Sequence, residues 1–415
     1  MYIKIPINRH LRILFVHTNF PGQFRNLAFA AQAHGHDVHA LAPSNVHPTP
    51  GITTTQCVAY RKPPLPPDNI LTSRFEADTV RSLNAFNAAK AMAASGYVPD
   101  VIIGHPSFGE MTLLGLVWPD ARRLVYAENF VSAQHMSGKF DPEFPPPSDL
   151  EQAYAELQMS NSGLAMARAH ALVSPTEHQR SKFPNQLRDS IHVIPDGIDT
   201  EAVRPRPDVA FAIPNTAIVL RPGDEVVTYV NRYLEPLRGI HVFLRTLVKV
   251  LDRNPNARAL IVGASQARIY GRAAPAGQTW IDIFWKEVQE RIDVRRVHFL
   301  GRIERSQYLD VLAVSAAHVY LTYPFVLSWS LLESMSAGCA IIASSTAPVQ
   351  EFIKDGQNGR LVDFFDTEAQ ANAITEALKN PSAFADLRAK ARADAISRWD
   401  FQTVALPAWL KLIEA

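Results

Sequence analysis

"YPFVLSWSLLESMSAGCAIIASSTAPVQEFIKDGQNGRLVDF", residues 323–364, decides the reading of this chain. Its first half holds one carboxylate, Glu333, in a run that otherwise has the composition of a core. The segment SWSLLESMSAG (328–338) reads as a helix, with Ser328 as N-cap and Gly338 just past the C-terminus. Ser330, Glu333, Ser334 and Ala337 then share one face, and Leu332, Met335 and Cys339 face a sheet. Small groups around the acid leave room for a ligand. The first-turn amides of such a helix suit a phosphate. A carboxylate one turn further along suits two neighbouring hydroxyls, such as those of a ribose. The pattern equally allows a Glu333 that is paired with an arginine or left in solvent.

Outward from this helix the chain reads as alternating strands and helices. CAIIASS (339–345) and GRLVDF (359–364) are strands, as are EVVTYVNRY (225–233), ARALIVGAS (257–265), VRRVHFLGRI (294–303) and AAHVYLTYP (316–324). The first half repeats the theme with RILFVHT (12–18), HDVHALAP (36–43), PDVIIGHPS (99–107), RRLVYAEN (122–129), AHALVS (169–174) and DSIHVIPDGID (189–199). Continuous apolar strands separated by helical stretches predict parallel sheets covered on both faces. The fold class is therefore α/β, with two Rossmann-like parallel-sheet domains. The expected division is residues 1–200, a proline-rich linker over 201–222, and a second domain over 223–395. A terminal helix over 396–415 is expected to cross back to the first domain, with Trp399 and Trp409 as packing residues. In open parallel sheets ligands bind beyond the C-terminal strand ends, so a cleft between two facing domains is the expected site.

Composition narrows the function classes. The 415 residues are 47% hydrophobic and 20% charged, with a net charge of +1. That size suits two domains, and that balance gives no general attraction to nucleic acid. Two cysteines, Cys57 and Cys339, make no disulfide framework. The opening MYIKIPINRHLRILFVH lacks the shape of a signal peptide, because Pro6 and Arg9 interrupt it. Residues 311–332 carry no Asp, Glu, Lys or Arg. His318, Pro324 and several hydroxyls there argue for buried structure rather than a membrane span. A cytoplasmic location is expected, with peripheral contact at the inner face of a membrane left open.

Motif chemistry excludes more. No GxGxxG follows the first strand, and neither GxxxxGK[ST], HExxH nor GxSxG occurs. The histidines do not form a metal-ligand pattern, so no metal and no cofactor are expected. NRYLEPLRG (231–239) sets Arg232 and Arg238 between a strand and a helix. Two fixed cations there suit a diphosphate, whose developing charge must be neutralised as it leaves. Glu235 could instead tie them up. In FPGQF (20–24), Gly22 would let backbone approach a ligand, with Gln23 beside it. His105 ends the strand VIIG, a position suited to a base or to an ordinary polar cap.

Taken in order, RILFVHTNFPGQFRNLAFAAQAHGHDVHAL, ALVSPTEHQR, IHVIPDGID, YVNRYLEPLRGIHVFLRTLVKV, LIVGA, VHFLGRI and the stretch at 323–364 resemble the retaining GT-B glycosyltransferases of family 4, the glycosyl transferases group 1. The resemblance covers nearly the whole chain. It implies a hexosyltransferase-type enzyme (EC 2.4) of glycan biosynthesis that uses a nucleotide-diphosphate sugar, with UDP- or GDP-sugars expected. The acceptor would be a glycan, a lipid or a small metabolite. Arg232 matches an arginine on the donor diphosphate, and Arg238 stands where the family has a lysine. Glu333 matches the second glutamate of a Glu-x7-Glu motif, which holds the ribose. The amides of Val326, Leu327 and Ser328 would approach the donor. His105 matches a histidine near the reacting sugar, and Gly22 and Gln23 lie in the acceptor-side loop. The position of the motif's first glutamate is Phe325, which cannot accept a hydrogen bond. The resemblance implies retention at the anomeric carbon by front-face departure and attack. Two other readings stay open: a binding or assembly subunit with little turnover, and a same-fold nucleotide-sugar epimerase or phosphorylase.

Overall fold

The apolar runs of the first half become seven short strands. They are β1 (Arg12–Val16), β2 (Asp37–Pro43), β3 (Thr53–Cys57), β4 (Val101–Gly104), β5 (Arg122–Tyr126), β6 (Ala171–Ser174) and β7 (Ile191–Val193). A computed structural model, which describes residues 9–61, 71–266 and 270–415, shows them all parallel in the order β3-β2-β1-β4-β5-β6-β7. Residues 1–8, where the reading of the amino terminus begins, lie outside the described residues. The pleat sends alternate residues of each strand to opposite faces. Ile13 and Phe15 join one core with Ile103 and Leu124, while Leu14 and Val16 join another with Ile102 and Val125. Both faces are covered, which is why the strands read as unbroken apolar runs.

The second half builds the same architecture. A small antiparallel pair, β8 (Phe211–Ala212) with β9 (Val219–Leu220), precedes β10 (Val226–Tyr233), β11 (Arg258–Ala264), β12 (Val297–Gly301), β13 (Ala317–Tyr320), β14 (Ile341–Ser344) and β15 (Arg360–Val362). The last six are parallel in the order β12-β11-β10-β13-β14-β15. Val227 and Tyr229 of β10 face one core, and Val226 and Val230 face the other.

The chain divides into two compact units, one of residues 1–136, 147–197 and 401–415, the other of 137–146 and 198–400. Three details differ from the sequence expectation. The stretch 201–222 is not a free linker: Val203, Phe211, Ile213 and Leu220 are buried in a core of the second unit. The terminal helix over 396–415 is broken. Ala385–Trp399 and Leu406–Glu414 are separate helices joined by a π-type turn at Phe401–Ala405. Trp399 packs on Phe352 in the second unit, and Trp409 lies in a core of the first. The segment 137–146 leaves the first unit's sequence and belongs to the second.

That excursion is anchored by named contacts. The Phe140 ring sits 5.0 Å from Tyr323 and 5.3 Å from Phe364, centroid to centroid. Asp141 accepts from His241 Nε2 at 2.9 Å and from the Tyr323 hydroxyl at 2.5 Å. Glu143 accepts two bonds from Arg245, at 2.6 and 2.8 Å. The charge-free stretch 311–332 is the end of a helix, all of β13, a loop and the start of the next helix. No helix among the described residues is long and apolar enough to cross a membrane.

Candidate functional site

In the second unit the polar side chains gather past the C-terminal ends of β10 and β13. Ser328 caps the helix Trp329–Ser336, accepting from Ser330 N at 3.4 Å. Glu333 lies one turn in and is 8% exposed. Its burial comes from neighbours in the chain. The Tyr308 hydroxyl donates to Oε2 at 2.7 Å, and Arg305 Nη1 lies 2.5 Å from Oε1. The arginine-paired alternative is therefore what the structure shows, and no ligand is needed to cover the acid. Tyr308 is buried and fixed, whereas the Arg305 side chain is 55% exposed. Each carboxylate oxygen keeps a second lone pair, so the group can still accept from ligand hydroxyls.

Arg238 is buried at 7% exposure. Its Nη1 donates to Thr322 Oγ1 at 2.9 Å and to the Val326 carbonyl at 3.0 Å. The guanidinium also lies 5.6 Å from the centre of the Phe325 ring, within cation–π range. Three of its five N–H bonds remain for a ligand once Nη1 is used. Arg232 is exposed, and its Nη1 donates to the Tyr270 hydroxyl at 3.0 Å. The Tyr270 ring in turn lies 6.2 Å from Phe325. The two arginines thus flank one aromatic cluster.

Glu235 binds neither arginine's side chain. It is fully buried and accepts from Gly271 N at 3.0 Å, while its Oε1 has no partner. Burial lifts its carboxyl to about 7, against the Gly271 amide and the Arg238 charge. The backbone donors of 326–328 need one correction. Ser328 N donates to the Tyr320 hydroxyl at 2.8 Å, so that amide is taken. Val326 is held through its carbonyl by Arg238.

The first unit holds a separate cluster at the C-terminal ends of β1, β4 and β5. His105 follows β4 and is 2% exposed. Its Nδ1 accepts from Ser107 N at 3.2 Å, and its Nε2 lies 3.0 Å from Glu128 Oε2. The first contact requires a bare Nδ1, so Nε2 carries the proton and donates it to Glu128. Both ring nitrogens are committed, and His105 has none free to act as a base. Gln23 Nε2 donates to Glu128 Oε1 at 3.0 Å. Burial pushes the Glu128 carboxyl up, but the hydrogen bonds donated by His105 and Gln23 outweigh it. Its pKa falls below the ordinary value.

Gly22 serves the chain itself. Its φ is +46°, and a Cβ there would lie 2.6 Å from the His17 ring. The glycine is needed for this conformation and for that imidazole, whatever else approaches the loop. His17 is buried, and burial lowers its imidazole to about 4.

The sequence reading missed Glu128, Tyr308, Arg305 and Tyr270. Glu128 had a signal: it is an acid just past the end of a parallel strand. It also missed Glu110, which is 2% exposed and is lifted by burial to about 7. Among the described residues, Asp141, Glu143 and His241 bring three potential metal-ligating atoms within 4.8 Å. Arg245 holds Glu143 with two bonds, and Tyr323 and His241 hold Asp141. A guanidinium stands where a cation would have to approach, so this cluster fits an anchor better than a metal centre.

Comparison with known proteins adds the family. Residues 34–203 match the Glycosyl transferase family 4 group, and residues 216–396 match the Glycosyl transferases group 1. The chain belongs to the group-1 glycosyltransferases. Two curated relatives of this group-1 glycosyltransferase are a phosphatidyl-myo-inositol mannosyltransferase of Mycobacterium leprae and a D-inositol 3-phosphate glycosyltransferase of Rhodococcus erythropolis. The first is 26% identical over 216 residues, 51% of this chain and 50% of the relative. The second is 28% identical over 204 residues, 48% of this chain and 43% of the relative. The matched stretch thus spans half or less of each relative's length.

Among solved structures, a sucrose-phosphate synthase from Thermosynechococcus elongatus superposes with a TM-score of 0.71 at 19% identity, covering 98% of this chain and 99% of that one. Anabaena HepE in complex with UDP and glucose gives 0.67 at 16% identity, covering 98% of this chain and all of its own. At these identities the likeness establishes the GT-B fold.

Proposed function

We propose that this group-1 glycosyltransferase moves a hexosyl group from a nucleotide-diphosphate sugar to a hydroxyl acceptor with retention of anomeric configuration. The observation that carries the reading is the cluster beyond β10 and β13. Two arginines flank one aromatic wall there, and a buried carboxylate with spare acceptor capacity lies on the adjoining helix. Arg232 and Arg238 would bind the diphosphate and stabilise its charge as it leaves. Glu333 would accept from the ribose hydroxyls, displacing the exposed Arg305. His105, with Gly22 and Gln23, belongs to the acceptor side. The relatives' names, which place a sugar on phosphate-bearing inositols, and the UDP in a structural neighbour support a nucleotide-sugar donor and a hydroxyl acceptor.

The test is a thermal-shift panel of UDP, GDP, ADP and TDP. One nucleotide is expected to raise the melting temperature by several degrees at saturating concentration, as ligand binding to the native state requires. No shift with any of the four would remove the donor assignment.

Phe325 favours a second reading, a nucleotide-sugar-binding subunit with little turnover. Its ring packs against Arg238 where the family resemblance expects an acid. Acceptor-dependent release of nucleoside diphosphate separates the two readings.

A further inference from the structure

The first unit contains a carboxylate that neither the family resemblance nor the sequence pattern assigns. Glu128 follows β5, and its main chain is fixed at both sides. Its N–H donates to the Tyr126 carbonyl at 3.0 Å, and its carbonyl accepts from Gln179 Nε2 at 2.6 Å. The side chain is 28% exposed, in contrast to the 2% of its His105 partner. Each carboxylate oxygen receives one donor, His105 on Oε2 and Gln23 on Oε1. Each therefore keeps a lone pair, and the exposed part of the group is an acceptor with no remaining proton to give. His105 cannot turn toward a ligand. Its ring is packed against Tyr126, Phe108 and His17 at centroid distances of 5.7, 5.2 and 5.6 Å.

The charge around Glu128 sets what it can accept. The groups that face it are His105 from the end of β4, His17 from the end of β1, Gln23 from the 3-10 turn Gly22–Phe24, and Tyr126 from β5. Tyr126 in turn donates to Asp196 at 2.6 Å. His17 is held neutral by burial at ordinary pH. Among the described residues no lysine or arginine pairs with Glu128; its histidine partner, His105, donates from a neutral ring. An anion brought to this carboxylate would meet negative charge with no cation among the first-unit groups that contact it, the nearby Arg74 being held on the Ser107 carbonyl and over Phe108, whereas a hydroxyl would meet two oriented lone pairs.

We propose that Glu128 is the carboxylate that accepts a hydrogen bond from the acceptor's hydroxyl, and that it selects a neutral polyol over a phosphorylated one. His105 is then a positioning residue that acts through Glu128. This rests on the transferase reading above, and the experiment keeps the two separable.

The protein is assayed for release of UDP from UDP-glucose, or GDP from GDP-mannose, with matched acceptor pairs: glucose and glucose 6-phosphate, mannose and mannose 6-phosphate, glycerol and glycerol 3-phosphate. The wild type should favour the neutral member at least tenfold, by about 10 in kcat/KM. Glu128→Gln should lower kcat/KM for the neutral member by about 100-fold, with nucleotide affinity unchanged by calorimetry. Glu128→Asp, which keeps the charge, guards against misfolding of the Gln variant and should retain the preference. His105→Asn should raise the midpoint of the acid limb of kcat/KM, because the donor that holds the Glu128 carboxyl down is gone. A merely structural histidine would lower activity at all pH values without moving that limb. A wild type that prefers the phosphorylated member, one that binds nucleotide but uses no neutral polyol, or a Glu128→Gln variant of full activity overturns the proposal. Loss of nucleotide binding in the wild type would instead overturn the transferase reading.

Discussion

Arg238→Ala is expected to lower kcat/KM about 1000-fold, roughly 4 kcal/mol of transition-state stabilisation. Two losses combine. In the proposed reaction the leaving diphosphate would lose a buried cation, for which there is no solvent substitute at 7% exposure. The loop that carries 326–328 also loses its brace, since the same guanidinium bonds Thr322 and the Val326 carbonyl. The variant should therefore melt earlier as well. Arg232→Ala gives the contrast within the same prediction. That side chain is exposed and makes one bond to Tyr270, so turnover should fall while the melting temperature stays. Steady-state kinetics and a melting curve on both variants check this. Equal kinetics in wild type and Arg238→Ala would remove Arg238 from the reaction.

Asp141→Ala is expected to cost about 3–5 kcal/mol of stability. The carboxylate is buried and holds the His241 imidazole and the Tyr323 hydroxyl, both of which are buried too. Truncation leaves both donors unpaired and frees the 137–146 segment from the helix Ile240–Arg253. The effect has a pH signature. Burial pushes the Asp141 carboxyl up, but hydrogen bonds from His241, Tyr323 and the Glu143 amide outweigh it, and its pKa is lowered in the fold. A lowered folded-state pKa means stability that is present above the unfolded value, near 4, and lost as pH falls through the folded one. The gap between wild type and variant should be full at pH 7 and close below about pH 4. Urea unfolding at several pH values measures it, and a gap that widens in acid would contradict the account.

The sheets were legible because their strands are buried on both faces. A short buried run such as Val101–Gly104 or Ile341–Ser344 has few other uses in a folded chain. β3, Thr53–Cys57, escaped notice because it is an edge strand rich in threonine, with an exposed and intermediate pattern until Cys57. The helix Ser73–Ala94 escaped because alanine and polar residues blur its apolar stripe. The hairpin in 211–220 escaped because prolines suggested a linker, although Phe211 and Leu220 are buried.

The site divided in the same way. Residues that sit in local motifs, such as Arg232, Arg238 and Glu333, could be picked from spacing. Their partners could not, because pairing across 25 residues, as between Tyr308 and Glu333, or 23, as between His105 and Glu128, is a property of the sheet. The same holds for Asp141, whose partners lie 100 and 182 residues away. A sequence shows the acid and the histidine but not which one turns to solvent. That choice was settled here by the ring packing around His105 and the strand-end turn at Glu128.

The measurement that bears most directly on the central claim is a calorimetric titration of the nucleoside diphosphate selected by the panel into wild type and Glu333→Ala. Glu333 would hold the ribose through lone pairs that Tyr308 and Arg305 leave unused. The account predicts at least about 10-fold weaker binding in the variant, near 1.4 kcal/mol, with the fold retained. Equal affinity in the two proteins would contradict it.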